Sequence, residues 1–304
     1  MNTPHRSSVV LGFPDYREPA RRLADAAGID YAEISVHHFP DGESLVRLPP
    51  ELPRQVVLCG SLDRPNEKLI ELELAAAAAL QLGARHLTLV APYLCYMRQD
   101  KAFHPGEAVS QRIIGDLLAR RFDTLITVDP HLHRTTTLQQ AAPVRRAVAL
   151  SAAAPMADRL LGRGDRPLLI GPDEESAQWV SAIAQPAGLD YGVARKRRLG
   201  DRDVRIELPD LDVSGRNVVL VDDVASGALQ LSSVRGSSSS QIFCEQAQPF
   251  AVLSVFLFQQ CRPGVRFTEQ ALRRALARPR RTRFDPVVLR DDEVQSPEDL
   301  AVVI

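Results

Sequence analysis

The chain has 304 residues, of which 45% are hydrophobic and 25% are charged, and its formal net charge is -1. The length allows two domains of about 150 residues each, and the near-neutral charge excludes a global basic field that would recruit nucleic acid. The longest apolar stretch, residues 250–258, is too short to span a bilayer, and the amino terminus lacks the apolar core of a signal peptide. The four cysteines have no metal-ligand spacing, so we expect reduced thiols in a cytoplasmic protein.

Apolar runs and amphipathic segments alternate along the first half of the chain. Apolar runs predict buried strands, and segments with one apolar face predict helices. Their repeated order is typical of a parallel sheet with helices on both faces. Strands are predicted at residues 8–13, 55–61, 86–93 and 124–129, and helices at 16–27, 66–82 and 110–121, with Ser110 as the N-cap of the last.

The alternation restarts close to residue 149, so we predict an N-terminal domain at 1–148 and a C-terminal domain at 149–304. The expected fold class is α/β, with two similar domains whose parallel sheets are flanked by helices. In the second domain, helices are predicted at 152–161 and 174–187, and strands at 167–171, 191–194, 204–208 and 218–221.

The last of these strands carries the clearest functional signal. Four apolar residues, 218–221, indicate a strand buried on both faces, and Asp222 and Asp223 follow it directly. Ligands of open α/β sheets bind at this end of the strands, and paired carboxylates suit a ribose diol or a Mg²⁺ ion that carries phosphate. Ser226 and Gly227 then belong to the expected phosphate-binding loop.

Two polar clusters of the first domain also fit a nucleotide. Phe39-Pro40-Asp41-Gly42-Glu43 offers an aromatic ring and two carboxylates for an adenine, although a turn between two strands explains Asp-Gly equally well. Tyr96-Met97-Arg98-Gln99-Asp100-Lys101 offers cations for phosphates, or is a solvated charge run.

Three further clusters lie near predicted strand ends. Asp129 and His131 suit Mg²⁺-phosphate binding or proton transfer, whereas a single histidine is more often structural. Asp173 precedes a helix, where acidic residues also stabilise the helix dipole. The basic run 195–198 suits a mobile loop that closes over a phosphoryl group, or a solvated face.

In this order the motifs resemble those of the ribose-phosphate pyrophosphokinases, also called phosphoribosyl pyrophosphate synthetases. The resemblance runs from about Val9 to Ser226. It joins segments similar to F-x-D-G-E at 39–43, Y-x-R-Q-D-K at 96–101, E-x-[IV]-S at 107–110, D-L-H at 129–131, K-x-R at 196–198 and the start of the ribose-5-phosphate loop at 218–226.

The resemblance implies a phosphoribosyltransferase-like fold, a homo-oligomer and a reaction. The 1-hydroxyl of ribose 5-phosphate would attack the β-phosphorus of ATP in the presence of Mg²⁺, and AMP would leave. The implied site residues are Phe39, Asp41, Glu43, Arg98, Gln99 and Asp100 for ATP, the first three from the same or a neighbouring subunit; His131 and Asp173 for Mg²⁺; Lys196 and Arg198, with His131, for catalysis; and Asp222, Asp223, Ser226 and Gly227 for ribose 5-phosphate.

Two segments depart from the family pattern. Glu174-Glu175-Ser176 follows Asp173 where the family has small residues and glycines, and the loop 226–229 lacks the family's threonines. Six serines in 231–240 and no further family pattern suggest the hypothesis of a reading-frame shift after Ser226. Resequencing the codons for 225–240 tests it.

Three alternatives to a ribose-phosphate pyrophosphokinase stay open: a catalytically inactive regulatory relative, a phosphoribosyltransferase and a plain nucleotide-binding module.

Overall fold

The computed structural model describes residues 8–162, 164, 166–198, 204–207, 211, 216–222, 241–245 and 254–259. The chain divides into two compact units, Met1–Ser151 and Ala152–Ile304. Within the described residues, no helix combines the length and the apolar character needed to cross a membrane.

The first unit is built on a six-stranded sheet. Its strands are β1 (Ser8–Gly12), β2 (Asp30–Glu33), β5 (Gln55–Cys59), β6 (His86–Val90), β7 (Thr124–Val128) and β8 (Arg146–Leu150). They lie in the order β2-β1-β5-β6-β7-β8, and every neighbouring pair is parallel. The predicted parallel α/β sheet is therefore confirmed, with its carboxyl ends along one edge.

Helices cover both faces of this sheet. Successive residues of a strand point to opposite faces, and in β1 both faces are buried. Leu11 of β1 is fully buried in the larger apolar cluster, whereas its neighbour Val10 packs in a second cluster with Ala20 and Ala24. The helices of the unit are α1 (Arg17–Ala27), α2 (Pro65–Gln81), α3 (Ser110–Ala119) and α4 (Leu138–Ala141).

Burial also controls the thiol chemistry of this unit. Cys59 and Cys95 are free and buried, and burial raises the pKa of both thiols to about 12. They are therefore protonated and poorly reactive at neutral pH.

An antiparallel hairpin stands beside this sheet. It consists of β3 (Ser35–His38) and β4 (Ser44–Arg47), and its register pairs His38 with Ser44 next to the turn. Val36 and Val46 pack against the larger apolar cluster, so the hairpin rests on the body of the unit.

The second unit has a mixed sheet. β9 (Leu168–Gly171), β10 (Tyr191–Val193) and β13 (Val218–Asp222) are parallel, while β15 (Ser254–Gln259) runs antiparallel to β13, and β14 (Gln241–Glu245) runs antiparallel to β15. The eight residues between β14 and β15 are too few for the crossover that a parallel pair requires. Among the described residues of the second unit, the helices are α5 (Ala153–Leu161) and α6 (Ala177–Ala187).

The basic run differs from the expected mobile loop. Residues Arg195–Arg198 form β11, which pairs antiparallel with β12 (Val204–Glu207), so the two segments are the arms of a ribbon. Ladder hydrogen bonds fix the backbone of the arms, and the predicted hairpin arm at 204–208 is confirmed.

Candidate active site

Two loops at the carboxyl edge of the first sheet are tied together where they begin. The carbonyl of Pro92, just after β6, accepts hydrogen bonds from the Val128 amide at 3.1 Å and the Thr127 hydroxyl at 3.2 Å. Thr127 is fully buried in β7, so its hydroxyl needs this partner. The loop with the Arg98-Gln99-Asp100 motif and the loop with Asp129 and His131 therefore start side by side.

An ion pair joins the same loops further out. The guanidinium of Arg134 donates to the Asp100 carboxylate at 2.6 Å, and the Arg134 amide donates to its other oxygen at 3.0 Å. Only 1% of the Asp100 side chain is exposed. Burial alone would raise the pKa of this carboxyl group, but the hydrogen bonds and charge of Arg134 outweigh it and lower the pKa below its ordinary value. Asp100 is consequently an anion at neutral pH, and it holds the two loops together.

The buried side chain of Gln111 supports the loop that carries the Arg98-Gln99-Asp100 motif. Its side-chain amide donates to the carbonyl of Met97 at 3.0 Å and accepts the Thr135 hydroxyl at 2.6 Å. The residue is 4% exposed, so both of these bonds are shielded from water. The Gln99 side chain accepts a hydrogen bond from the Ser110 hydroxyl at 3.2 Å.

This contact explains why the N-cap prediction was wrong. Val109 occupies the N-cap position of α3, and Ser110 is its first helical residue. The Ser110 hydroxyl is directed to Gln99 and serves the loop instead of the helix end.

Each loop contains a non-glycine residue with a positive φ. Tyr96 has φ 60° and Asp129 has φ 40°, a region that costs energy for a bulky residue such as tyrosine. The Tyr96 phenol is hydrogen-bonded to Asn66 of α2, and the Asp129 amide donates to Leu150 at 2.9 Å. Backbone strain held by surrounding contacts is typical of functional sites.

Two histidines follow Asp129. The Nε2 atoms of His131 and His133 are 2.7 Å apart in a hydrogen bond, and their rings meet edge to face with centroids 4.4 Å apart. Mg²⁺ prefers oxygen ligands and commonly keeps waters and substrate phosphates in its shell. Of Asp129, His131 and His133, only Asp129 offers the carboxylate oxygen atoms that Mg²⁺ prefers, so an ion here would be held largely through the phosphates of a nucleotide.

The Phe39-to-Glu43 motif forms the turn of the hairpin. Its backbone bonds run from the Phe39 amide to the Glu43 carbonyl at 2.8 Å and from the Gly42 amide to the Phe39 carbonyl at 2.9 Å. Gly42 has φ 92°, as the glycine of a three-residue hairpin loop does. The turn that explains Asp-Gly is thus present, and it presents Phe39, Asp41 and Glu43 on an exposed tip.

The Asp173 side chain in the second unit binds backbone amides of the turn that follows it. It is the N-cap of a short 3₁₀ helix, Glu174–Ser176, and its carboxylate accepts the amides of Glu175 at 3.1 Å and Ser176 at 3.3 Å. Ser176 is fully buried, and a Cβ at Gly171 would overlap its hydroxyl. The turn after β9 therefore needs both the glycine and the serine.

The remaining predicted residues lie in or beyond the strands of the second unit. Lys196 and Arg198 are in β11, opposite Ile206 and Val204. Asp222 is the half-buried last residue of β13. Asp223, Ser226 and Gly227 lie outside the described residues.

Comparisons with known proteins match about three quarters of the chain. A family model, the N-terminal domain of ribose phosphate pyrophosphokinase, matches residues 9–121. The ribose-phosphate pyrophosphokinase of Methanopyrus kandleri is 37% identical over 220 residues, which cover 71% of this chain and 74% of that protein. The corresponding protein of Methanosarcina acetivorans is 34% identical over 74% of this chain and 78% of its own length.

The chain belongs to the ribose-phosphate pyrophosphokinase family. A solved structure, the phosphoribosylpyrophosphate synthetase from Mycobacterium smegmatis, is similar with a TM-score of 0.59 and 21% identity, and the match covers 74% of this chain and 76% of that one. This likeness shows the phosphoribosyltransferase-like fold that the sequence predicted.

Sequence reasoning missed three residues that position parts of the candidate site. Arg134 carried a usable signal, because it is a cation in the loop directly after β7. Gln111 and the α2 residue Glu71 carried none, since a polar residue within a predicted helix is ordinarily solvent-facing. Both are buried polar side chains whose partners lie far away in the sequence.

Proposed function

We propose that the protein transfers diphosphate from ATP to the 1-hydroxyl of ribose 5-phosphate, giving phosphoribosyl pyrophosphate and AMP for nucleotide biosynthesis in the cytoplasm. The observation that carries the proposal is the joining of the Arg98-Gln99-Asp100 loop to the His131 loop through Asp100 and Arg134. This joining brings cations, a carboxylate and imidazoles to one sheet edge, and a relative named ribose-phosphate pyrophosphokinase is similar over 71% of this chain.

The residues of the ATP side have separate tasks. Phe39 supplies an aromatic face for the adenine, and Asp41 and Glu43 supply acceptors for its amine, from the same or a neighbouring copy of a homo-oligomer. Arg98 and Gln99 bind the phosphates, and Asp100 holds the loop in place. Fixing the phosphates in advance removes part of the entropic cost of the transfer.

The residues of the ribose side orient the nucleophile. Asp222 and Asp223 would accept hydrogen bonds from the ribose hydroxyls, while Ser226 and Gly227 would hold the 5-phosphate. Lys196 and Arg198 would stabilise the negative charge on the transferring group. By the family resemblance, His131 and Asp173 would each serve a Mg²⁺ site, and bound Mg²⁺ would neutralise charge on the substrate phosphates.

The test is AMP formation from Mg²⁺, ATP and ribose 5-phosphate. The wild-type protein should form AMP only when both substrates are present. Lys196→Ala should lower the rate at least about a hundredfold, because it removes a charge that stabilises the transition state. Arg197→Ala, in the same strand, is the matched control and should retain most of the activity.

The inactive regulatory relative makes a different prediction. It would bind ATP in calorimetry but form no more AMP than the Lys196→Ala variant. A phosphoribosyltransferase would consume phosphoribosyl pyrophosphate and form none of it. Either result would contradict the proposed reaction.

A further inference from the structure

A buried carboxylate of α2 holds both arms of the hairpin. One oxygen of Glu71 accepts the Nε2 proton of His38 at 2.7 Å and the Ser44 hydroxyl at 2.9 Å. Glu71 is only 7% exposed, whereas the His38 side chain is 60% exposed. Hydrogen bonds to a charged acceptor are stronger than bonds between neutral groups, and the acceptor here is largely removed from water.

The position of these bonds in the hairpin gives them their effect. His38 and Ser44 are register partners, one on each strand, and they flank the turn that carries Phe39, Asp41 and Glu43. A two-stranded hairpin is marginally stable by itself. The Glu71 carboxylate therefore fixes the base of the turn to a helix whose alanines Ala75 and Ala76 are fully buried.

We propose that Glu71 is a positioning residue for ATP: it sets the location of the hairpin tip without touching the nucleotide. The proposal rests on the proposed function, in which the tip binds the adenine. A tip held in advance binds its ligand without a further ordering cost. We call the hydrogen bonds from His38 and Ser44 to Glu71 the clamp. Loss of the clamp then weakens ATP binding and leaves ribose 5-phosphate binding unchanged.

The experiment combines hydrogen exchange with calorimetric titration of the full-length chain. Glu71→Ala should speed amide exchange at Phe39, Gly42 and Glu43 and weaken ATP binding about tenfold, as expected for the loss of hydrogen bonds to a charged group. Ribose 5-phosphate affinity should not change. Glu71→Gln keeps an acceptor oxygen at the same place and should restore both the slow exchange and most of the ATP affinity.

Two further variants separate the clamp from general effects on α2. Ser44→Ala removes one bond without disturbing the buried carboxylate, so its change should have the same direction and be smaller. Glu73→Ala is the matched control, because Glu73 pairs with Arg121 at 2.6 Å and not with the hairpin. It should behave like the wild type in both measurements.

The outcomes distinguish this proposal from the proposed function. Wild-type exchange and ATP affinity in Glu71→Ala would overturn the clamp, as would equal loss of ATP and ribose 5-phosphate binding. A wild-type protein that bound no ATP would overturn the proposed function and the ATP role of Glu71 together. The exchange rates would then still decide whether Glu71 holds the hairpin.

Discussion

Polar contacts between residues far apart in the sequence, more than the motif residues alone, determine the shape of the candidate site. Asp100 belongs to a motif that sequence reasoning identified, but Arg134 fixes its position from 34 residues away. Gln111 acts in the same way on Met97 and Thr135. Each contact joins distant residues, so a local pattern can mark Arg134 as a candidate cation but cannot predict its pairing with Asp100.

The Asp100 ion pair gives a prediction for stability. Arg134→Ala should lower the free energy of unfolding by about 2 kcal/mol at pH 7, because the nearly buried carboxylate loses a charged hydrogen bond while keeping its bond to the backbone amide. Urea unfolding measures this value. Arg112→Ala, an exposed arginine of α3, is the control and should change stability little.

The pH dependence of this effect follows from the lowered pKa of Asp100. A carboxyl group whose pKa is lower in the folded state stabilises the protein above its unfolded-state pKa, and the contribution is lost as the pH falls through the folded-state pKa. The ordinary value is 3.8. The difference in the free energy of unfolding between Arg134→Ala and the wild type should therefore have its full value at pH 7. It should shrink as the pH falls below the ordinary pKa of 3.8. An equal difference at pH 7 and at pH 3 would contradict this assignment.

At the scale of elements, sequence patterns predicted the central strands of the first sheet and missed its edge strands, whereas in the second sheet they predicted the edge strand β10 and missed β14 and β15. The strands of the first sheet that were not predicted are β2 and β8, its two edges. Both lack a continuous buried apolar run, since none of their residues is fully buried. Edge strands bury less surface, so they carry a weaker apolar signal. The hairpin strands β3 and β4 also bury little surface, and the sequence indicated them only through the Asp-Gly turn that joins them.

The contact between α3 and α4 allows a test of close packing. A Cβ at Gly115 would overlap the carbonyl oxygen of Ala141 and lie 2.9 Å from its carbon. Helix propensity alone would make Gly115→Ala more stable by about 1 kcal/mol, whereas the clash predicts a net loss of about 1–3 kcal/mol. Urea unfolding gives the sign.

The neighbouring residue offers a control for that substitution. Asp116 is on the exposed side of α3, so Asp116→Ala should change the free energy of unfolding by less than about 0.5 kcal/mol. A Gly115→Ala protein that equalled or exceeded the wild type in stability would contradict the close approach of these two helices.

At the scale of the whole molecule, family membership and the described site support one reaction, and the segment after Ser226 bears on whether this chain performs it. The proposed phosphate loop at 226–229 keeps the hydroxyl of Ser226 but lacks the threonines expected from the family resemblance. Confirmation of the reading frame by resequencing codons 225–240 would leave an altered loop as a property of the protein. A corrected frame would instead restore a family sequence there.

The central claim is the transfer of an intact diphosphate, and ³¹P NMR of the reaction mixture tests it directly. With Mg²⁺, ATP and ribose 5-phosphate, the account predicts that the β- and γ-phosphorus atoms of ATP appear together as a diphosphate on C1 of the ribose. AMP should accumulate in equal amount. Formation of ADP with a single phosphate transferred, or no ATP consumption with ribose 5-phosphate present, would contradict it.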